Sequence, residues 1–267
     1  MEFWWLALIV MAVAIGLVVA AWSLRNYRKL SMQILFSLSL FLLVFKTVEF
    51  SSYRAAGKAL YPVEFSHISY FVLGATMVSG VKKFRPFAGL LSLVSGAAYV
   101  IAAIASPDSI HNDAYSVYFM IVSISQHMVL LFGGVVLLNL DKYRVKDVWI
   151  PILGATVIVV FSILVHNRII YKDFAKWDDM IIIDIVTGNI LKYIMPVGDT
   201  KLEWLKGLAI AVILIIVIGV FVAYYFINNK LYDKRAKKGL LKDEDYELGL
   251  VAVAKYFVNK KKAAKIA

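Results

Sequence analysis

The chain opens with an uninterrupted apolar block, FWWLALIVMAVAIGLVVAAW, which runs from Phe3 to Trp22 without a charged residue. A helix needs roughly 20 such residues to cross the hydrocarbon core of a bilayer. No basic segment precedes the block, and Arg25, Arg28 and Lys29 follow it. This pattern is typical of a membrane span and differs from that of a secretory signal peptide.

Similar apolar blocks recur along all 267 residues. The composition, 61% hydrophobic and only 18% charged, excludes a soluble globular protein. Because the apolar runs are continuous and do not alternate with polar residues, they also exclude a transmembrane β-barrel. We therefore predict an all-α polytopic membrane protein with seven transmembrane helices, at about 3–22, 31–50, 61–79, 88–105, 116–139, 148–166 and 203–226.

Two segments differ from these spans. The apolar stretch from Met180 to Met195 contains polar residues and is shorter than a span requires, which predicts a short re-entrant or interfacial segment. Residues 1–228 are thus predicted to form the transmembrane bundle, and residues 229–267 a basic tail. Within the tail, 240–258 mixes apolar and acidic residues, as an amphipathic helix against the membrane surface does.

The distribution of Lys and Arg predicts the orientation of the chain. Three basic loops alternate with loops that hold few or no Lys and Arg residues, and basic loops are typically cytoplasmic. We expect the N-terminus outside, the C-terminus in the cytoplasm, and the protein in the plasma membrane. The basic face predicts anionic lipid headgroups as partners and no nucleic acid. The basic loops contain Arg25, Arg28, Lys29, Lys82, Lys83, Arg85, Lys142, Arg144 and Lys146.

Ionisable side chains within two of the predicted spans indicate a functional site. The third span opens with YPVEFSH at 61–67, and the fifth contains SQH at 125–127. Burial of a carboxylate or an imidazole costs several kcal/mol unless it is paired or hydrated. Glu64 lies in a first helical turn, where the helix dipole favours an anion, and it can pair with His67 at i,i+3.

Ser66 is a candidate nucleophile if an imidazole accepts its proton, and the base is either His127 or His166. The predicted depths of the first pair differ, because Ser66 lies about 6–9 Å below the start of its span and His127 roughly 15 Å below the start of its own. Direct contact therefore requires a later start of the fifth span or a tilted bundle. Alternatively, the Ser66 hydroxyl bonds to the preceding carbonyl, as serines in membrane helices often do.

Cofactor chemistry is not indicated. The chain has no cysteine, which excludes a disulfide, a thiol nucleophile and a thiolate-bound metal. Its four histidines are not paired on facing spans at matched depth, so we predict neither a haem nor another metal site.

Several short motifs resemble those of the YwaF-like integral membrane family, which is related to seven-helix cysteine-histidine acyltransferases acting on ether phospholipids. The third span opens with Pro62 and places Ser66 where the family has Cys. The resemblance then continues through His127, His166-Asn167, Gly188-Asn189 and Met195-Pro196.

The resemblance implies an integral membrane lipid acyltransferase or acyl-ester hydrolase that acts on membrane phospholipids. Ser66 would be the nucleophile and His127 the base, so Ser and His would form a dyad that needs no cofactor. The residues implied as supporting the reaction are Glu64, His67, Gln126, His166, Asn167 and Asn189.

Two other functions are open. Lys46 and Glu49, at i,i+3 in the second span, can form a charge network with Glu64, as in an ion-coupled transporter. Seven spans are also the layout of a non-catalytic scaffold or receptor. Photoreception is not indicated, because the last span, 207–225, contains no Lys for a retinal Schiff base.

Overall fold

The computed structural model describes residues 4–55, 64–107, 117–170 and 203–263. In these ranges the chain is helical apart from short connections, two of which are single 3₁₀ turns at Lys82–Phe84 and Val145–Asp147. The α-helices are α1 Trp4–Leu24, α2 Arg28–Ala55, α3 Phe65–Ser79, α4 Arg85–Ala105, α5 Val117–Leu140, α6 Trp149–His166, α7 Glu203–Lys237 and α8 Leu250–Ala263.

The all-α membrane architecture is confirmed, and six of the seven predicted spans are long and apolar enough to cross a bilayer: α1, α2, α4, α5, α6 and α7. The third predicted span contains α3, whose 15 residues extend only about 22 Å. The last span continues past the predicted 226 to Lys237, because its polar end packs at the basic end of the bundle. The predicted segment from Met180 to Met195 lies outside the described residues.

The central helix of the bundle is α5, which contacts α1, α2, α3, α4 and α7. Its closest neighbour is α4, because a glycine on each helix lets the two backbones approach. A Cβ atom on Gly96 would lie 2.5 Å from the Leu131 nitrogen, and one on Gly134 would lie 2.5 Å from the Leu93 nitrogen. Small residues at such crossings are a common basis of helix association in membranes.

The apolar residues divide between a protein-facing stripe and a surface suited to lipid, as α1 illustrates. Leu6, Val10 and Ala14 recur every fourth residue and pack against α4 and α5, where they meet Met128 and Leu131. Most of the large apolar residues on the other sides of α1 are exposed. A helix that is apolar all round fits a bilayer, because lipid solvates the side chains that the protein does not bury.

The basic loops come together at one end of the bundle around a carboxylate whose side chain is 16% exposed. Asp141, just after α5, accepts hydrogen bonds from Arg28 at 2.8 Å and from Arg85 at 2.5 Å. Burial alone would raise the pKa of this carboxyl, but the guanidinium groups of Arg85 and Arg28 outweigh burial and hold the pKa below its usual value. Asn228 of α7 donates to the Leu138 and Asp141 carbonyls, which attaches α7 to the same end.

Candidate functional site

A polar cluster lies between α2, α3, α4 and α5, more than three helical turns along α5 from Asp141. Each helix contributes at least one member, and the centre is the Tyr70 side chain, which is 1% exposed. The other members in contact with Tyr70 or with each other are Lys46, Ser66, Tyr99 and His127.

The orientation of His127 is fixed from three sides. Its Nδ1 lies 2.8 Å from the Ser123 carbonyl one turn earlier, and a carbonyl can only accept, so Nδ1 carries the proton. The Tyr70 hydroxyl lies 3.1 Å from Nδ1 and 3.2 Å from Nε2, and of these two nitrogens only Nε2 can accept its proton when Nδ1 is protonated. The Tyr99 ring stacks on the imidazole at 3.8 Å between centroids. This arrangement places a proton acceptor, the Nε2 atom of a neutral imidazole, beside the Tyr70 hydroxyl.

Ser66 connects to His127 through Tyr70 and has no direct hydrogen bond to it. Ser66 is the second residue of α3, and Tyr70 follows one turn deeper on the same face. The Ser66 side chain is a polar neighbour of the Tyr70 hydroxyl. Tyr70, one turn after Ser66 on α3, lies at the level of His127 on α5 and bridges the two side chains.

A part-buried ion pair borders the cluster on α2. The predicted Lys46–Glu49 pair forms, with Nζ and Oε2 at 2.6 Å. The Lys46 ammonium also lies 4.8 Å from the centroid of the Tyr70 ring, where a cation is attracted to the aromatic face. Lys46 thus carries a positive charge to the edge of the serine–tyrosine–histidine chain.

Glu64 and His67 lie at the start of α3, above the cluster. Glu64 is the N-cap residue, and its carboxylate makes no side-chain cap hydrogen bond. Its Oε2 lies 3.6 Å from His67 Nε2, so the predicted i,i+3 pairing is a loose contact. The His67 ring packs edge-on against Phe50 of α2 at 5.1 Å between centroids.

Of the remaining predicted site residues, one is buried on α5, two lie away from the cluster and one is outside the described residues. Gln126 is 7% exposed, and its amide nitrogen has no hydrogen-bond partner among the described residues. His166 ends α6, and Asn167 donates only to the Ile163 carbonyl. In the part of the chain that the structure describes, no contact joins His166 or Asn167 to Ser66, Tyr70 or His127, because α6 packs against α4 and away from α3. Asn189 lies outside the described residues.

A groove of about 290 Å³ opens between α2 and α5 beside the cluster. Its walls are mostly apolar, and its one charged residue is Glu49, the partner of Lys46. Gln126 lies one turn along α5 from Val122 and on the same face, which directs it to the groove side of the helix. The lining residues are Phe45, Val48, Glu49, Ser52, Tyr53, Tyr118, Phe119 and Val122.

In the described ranges, no group of three or more His, Asp or Glu side chains lies close enough together to hold a metal ion.

Two members of the cluster, Tyr70 and Tyr99, were not predicted from the sequence. The position of Tyr70 at i+4 from Ser66 was a usable signal, because residues four apart share a helix face. Tyr99 gave no such signal, since its contact with His127 depends on the close packing of α4 on α5.

The resemblance to the YwaF-like family is wrong, since neither a YwaF-like nor an acyltransferase family model matches the chain. Its motifs were single residues and residue pairs spread over more than 100 positions, and a Pro at a helix start or a His within a span occurs in many membrane bundles. No curated protein and no solved structure matches the chain. The model of the TMEM164 family matches residues 2–176, and the chain therefore belongs to the TMEM164 family.

Proposed function

We propose that this protein transfers or hydrolyses acyl esters of membrane phospholipids, with Ser66 as the nucleophile. The single observation that supports the proposal most strongly is the Tyr70 hydroxyl, which lies between the Ser66 hydroxyl and the basic nitrogen of His127. Membership of the TMEM164 family does not by itself establish this activity.

In the proposed first step, the Ser66 oxygen bonds to the carbonyl carbon of the lipid ester. The Ser66 proton passes to the Tyr70 oxygen while the Tyr70 proton passes to His127 Nε2. The bond between the carbonyl carbon and the glycerol oxygen then breaks, and the proton returns from His127 to the departing lysolipid. A lysolipid hydroxyl or a water molecule attacks the serine ester in the second step and releases Ser66.

The negative charge that develops on the carbonyl oxygen needs hydrogen-bond donors or a cation. The buried amide nitrogen of Gln126, which has no partner in the described residues, is the first candidate. Lys46 is the second, because its ammonium lies beside Tyr70. Asn167 is a weaker candidate than the sequence implied, since its amide bonds within its own helix end.

The groove between α2 and α5 supports a lipid as substrate. Its apolar walls suit an acyl chain, and its side toward Glu49 leads to Lys46 and so to the polar cluster. Ligand sites commonly combine an apolar wall with a few polar groups of this kind.

An ion-coupled transporter is the second candidate, and the buried Lys46–Glu49 pair favours it. The two functions differ in which residues they need. Transport requires the charge of Glu49 and predicts a pH-dependent flux that Glu49→Gln abolishes. Ester chemistry requires Ser66 and tolerates Glu49→Gln as long as Lys46 stays in position.

The test is lipid mass spectrometry on proteoliposomes that hold a labelled phospholipid and a lysolipid acceptor. We expect acyl exchange or release with the native chain and its loss with Ser66→Ala and with His127→Ala. Ser69→Ala is the matched control, because Ser69 lies one turn from Ser66 and donates only to backbone carbonyls. Equal turnover in all four proteins, or none in any of them, would reject Ser66 as nucleophile and favour transport or a non-catalytic scaffold or receptor.

We also propose that α3 completes a seven-span bundle in the plasma membrane, with the N-terminus outside and the C-terminus in the cytoplasm. The meeting of the basic loops at one end supports this orientation, since Lys and Arg accumulate on the cytoplasmic side. Epitope accessibility in intact cells, measured at each terminus, tests it.

A further inference from the structure

The helix α8 turns its apolar side away from the protein. Leu250, Val253 and Phe257 share one face and are 65%, 52% and 57% exposed. Val251 and Ala252, on the other side of the helix, are half-buried. A helix on the surface of a soluble protein has the opposite arrangement, because its apolar face packs against the core.

This arrangement is fixed by a tight backbone contact between the start of α8 and the end of α3. Gly80 and Gly249 both adopt left-handed conformations, with φ of 75° and 95°. A Cβ atom on Gly249 would lie 2.7 Å from the Gly80 nitrogen and from the Val78 carbonyl oxygen. Only glycine fits both conditions, and Leu248 beside it packs on the core. The helix is therefore not free to rotate its apolar face inward.

A bridging carboxylate attaches one polar residue of α8, Lys255, to the rest of the protein. Glu247 accepts hydrogen bonds from Lys255 at 2.8 Å and pairs with Lys82 at 2.7 Å. The hydrogen bonds from Lys255 and Lys82 lower the pKa of Glu247 to about 2. Lys255 lies about 140° around the helix from Leu250, so its contact with Glu247 leaves Leu250, Val253 and Phe257 pointing outward.

The charges around this face indicate which surface covers it. The helix α8 lies at the basic end of the bundle, beside Lys82 and Lys83, and its own sequence continues into Lys260, Lys261 and Lys262. Large apolar side chains and many positive charges on one short helix match a membrane surface that offers both acyl chains and anionic headgroups.

We propose that α8 is an interfacial helix that binds the anionic phospholipid leaflet at the basic end of the bundle. Leu250, Val253 and Phe257 enter the boundary between headgroups and acyl chains, and the positive charge of the sequence that follows attracts the anionic headgroups. This proposal does not depend on the chemistry at Ser66.

The absence of cysteine makes the test direct. In Phe257→Cys the new thiol carries an environment-sensitive fluorophore, and the full chain is placed in nanodiscs of phosphatidylcholine alone or mixed with phosphatidylserine. We expect blue-shifted emission and quenching by lipids with brominated acyl chains, both stronger with phosphatidylserine. Asn259→Cys is the matched control, because Asn259 is exposed on the opposite side of α8, and its label should show neither effect.

A second variant separates the charge from the apolar face. With Lys260, Lys261 and Lys262 replaced by Gln, the label at position 257 should lose its dependence on phosphatidylserine and keep the quenching. A water-exposed spectrum at position 257 in every lipid would overturn the proposal. So would a blue shift that disappears when each nanodisc holds one protein molecule, since a second copy would then cover the face.

Discussion

Asp141 is a single side chain that connects several helices of the bundle. Two buried guanidinium groups, those of Arg28 and Arg85, share its carboxylate, and Arg28 also donates to the Leu140 and Tyr246 carbonyls. One negative charge therefore holds α2, α4, the end of α5 and the chain after α7 together. Loss of one partner from a buried network leaves uncompensated charge, which costs much more than loss of an exposed pair.

Asp141→Asn should lower the free energy of unfolding by about 3–5 kcal/mol, because both arginines stay buried without a counter-charge. Asp233→Asn is the control, since Asp233 pairs with Lys142 in an ion pair that is about half exposed, and its loss should cost about 1 kcal/mol or less. Chemical denaturation in detergent micelles measures both. Equal effects would mean that water reaches Asp141 and that the network is not buried.

Tyr70 is the residue that distinguishes the proposed relay from a direct serine–histidine pair. Tyr70→Phe keeps the ring and its contact with Lys46 but removes the hydroxyl between Ser66 and His127. Turnover of the lipid ester should fall by about 100-fold or more, as expected for loss of a proton-transfer group. The melting temperature should change little. Full activity in Tyr70→Phe would show that the Ser66 proton takes another path.

At the scale of helix pairs, the stability of the bundle depends on close backbone contacts, as between α4 and α5. Gly134→Val would push a side chain into the backbone of α4 at Leu93, and such overpacking costs typically about 1–3 kcal/mol. Gly219→Ala is the control, because nothing lies within 4 Å of a Cβ atom at that position of α7. Thermal unfolding should separate the two variants clearly. A Gly134→Val protein as stable as the native chain would mean that the two helices can move apart.

The contact between α3 and α8 should depend on pH through Glu247. Its pKa of about 2 lies below the usual 4.5, so its contribution is complete above about pH 4.5 and is lost as the pH falls toward 2. Hydrogen exchange of residues 246–252, corrected for the intrinsic pH dependence, should be slow and constant at higher pH and accelerate below about 4.5. In Glu247→Gln the same amides should exchange faster at neutral pH. Protection that is unchanged by this variant would exclude the bridge as the attachment.

At the scale of the whole molecule, composition and the length of the apolar blocks were enough to predict the protein class and most of the spans. The thickness of the bilayer sets the length of a span, and the lack of water in its core requires helical backbone. The site was only partly predictable. Ser66 and His127 were identified as ionisable or nucleophilic groups in apolar blocks, and the structure connects them through Tyr70. An amphipathic helix was predicted at 240–258, but the helix begins only at Leu250. Its start was not predictable, since it depends on the contact of Gly80 with Gly249, which are distant in sequence.

The most direct test of the central claim is a search for an acyl group on Ser66. The purified protein, incubated with a phospholipid of defined acyl chain, is digested and analysed by mass spectrometry. We expect the peptide that contains Ser66 to gain the mass of that acyl chain, and we expect no such gain in Ser66→Ala. A lysolipid product formed equally well by both proteins, with no acyl group on the native peptide, would contradict the claim that Ser66 is the nucleophile.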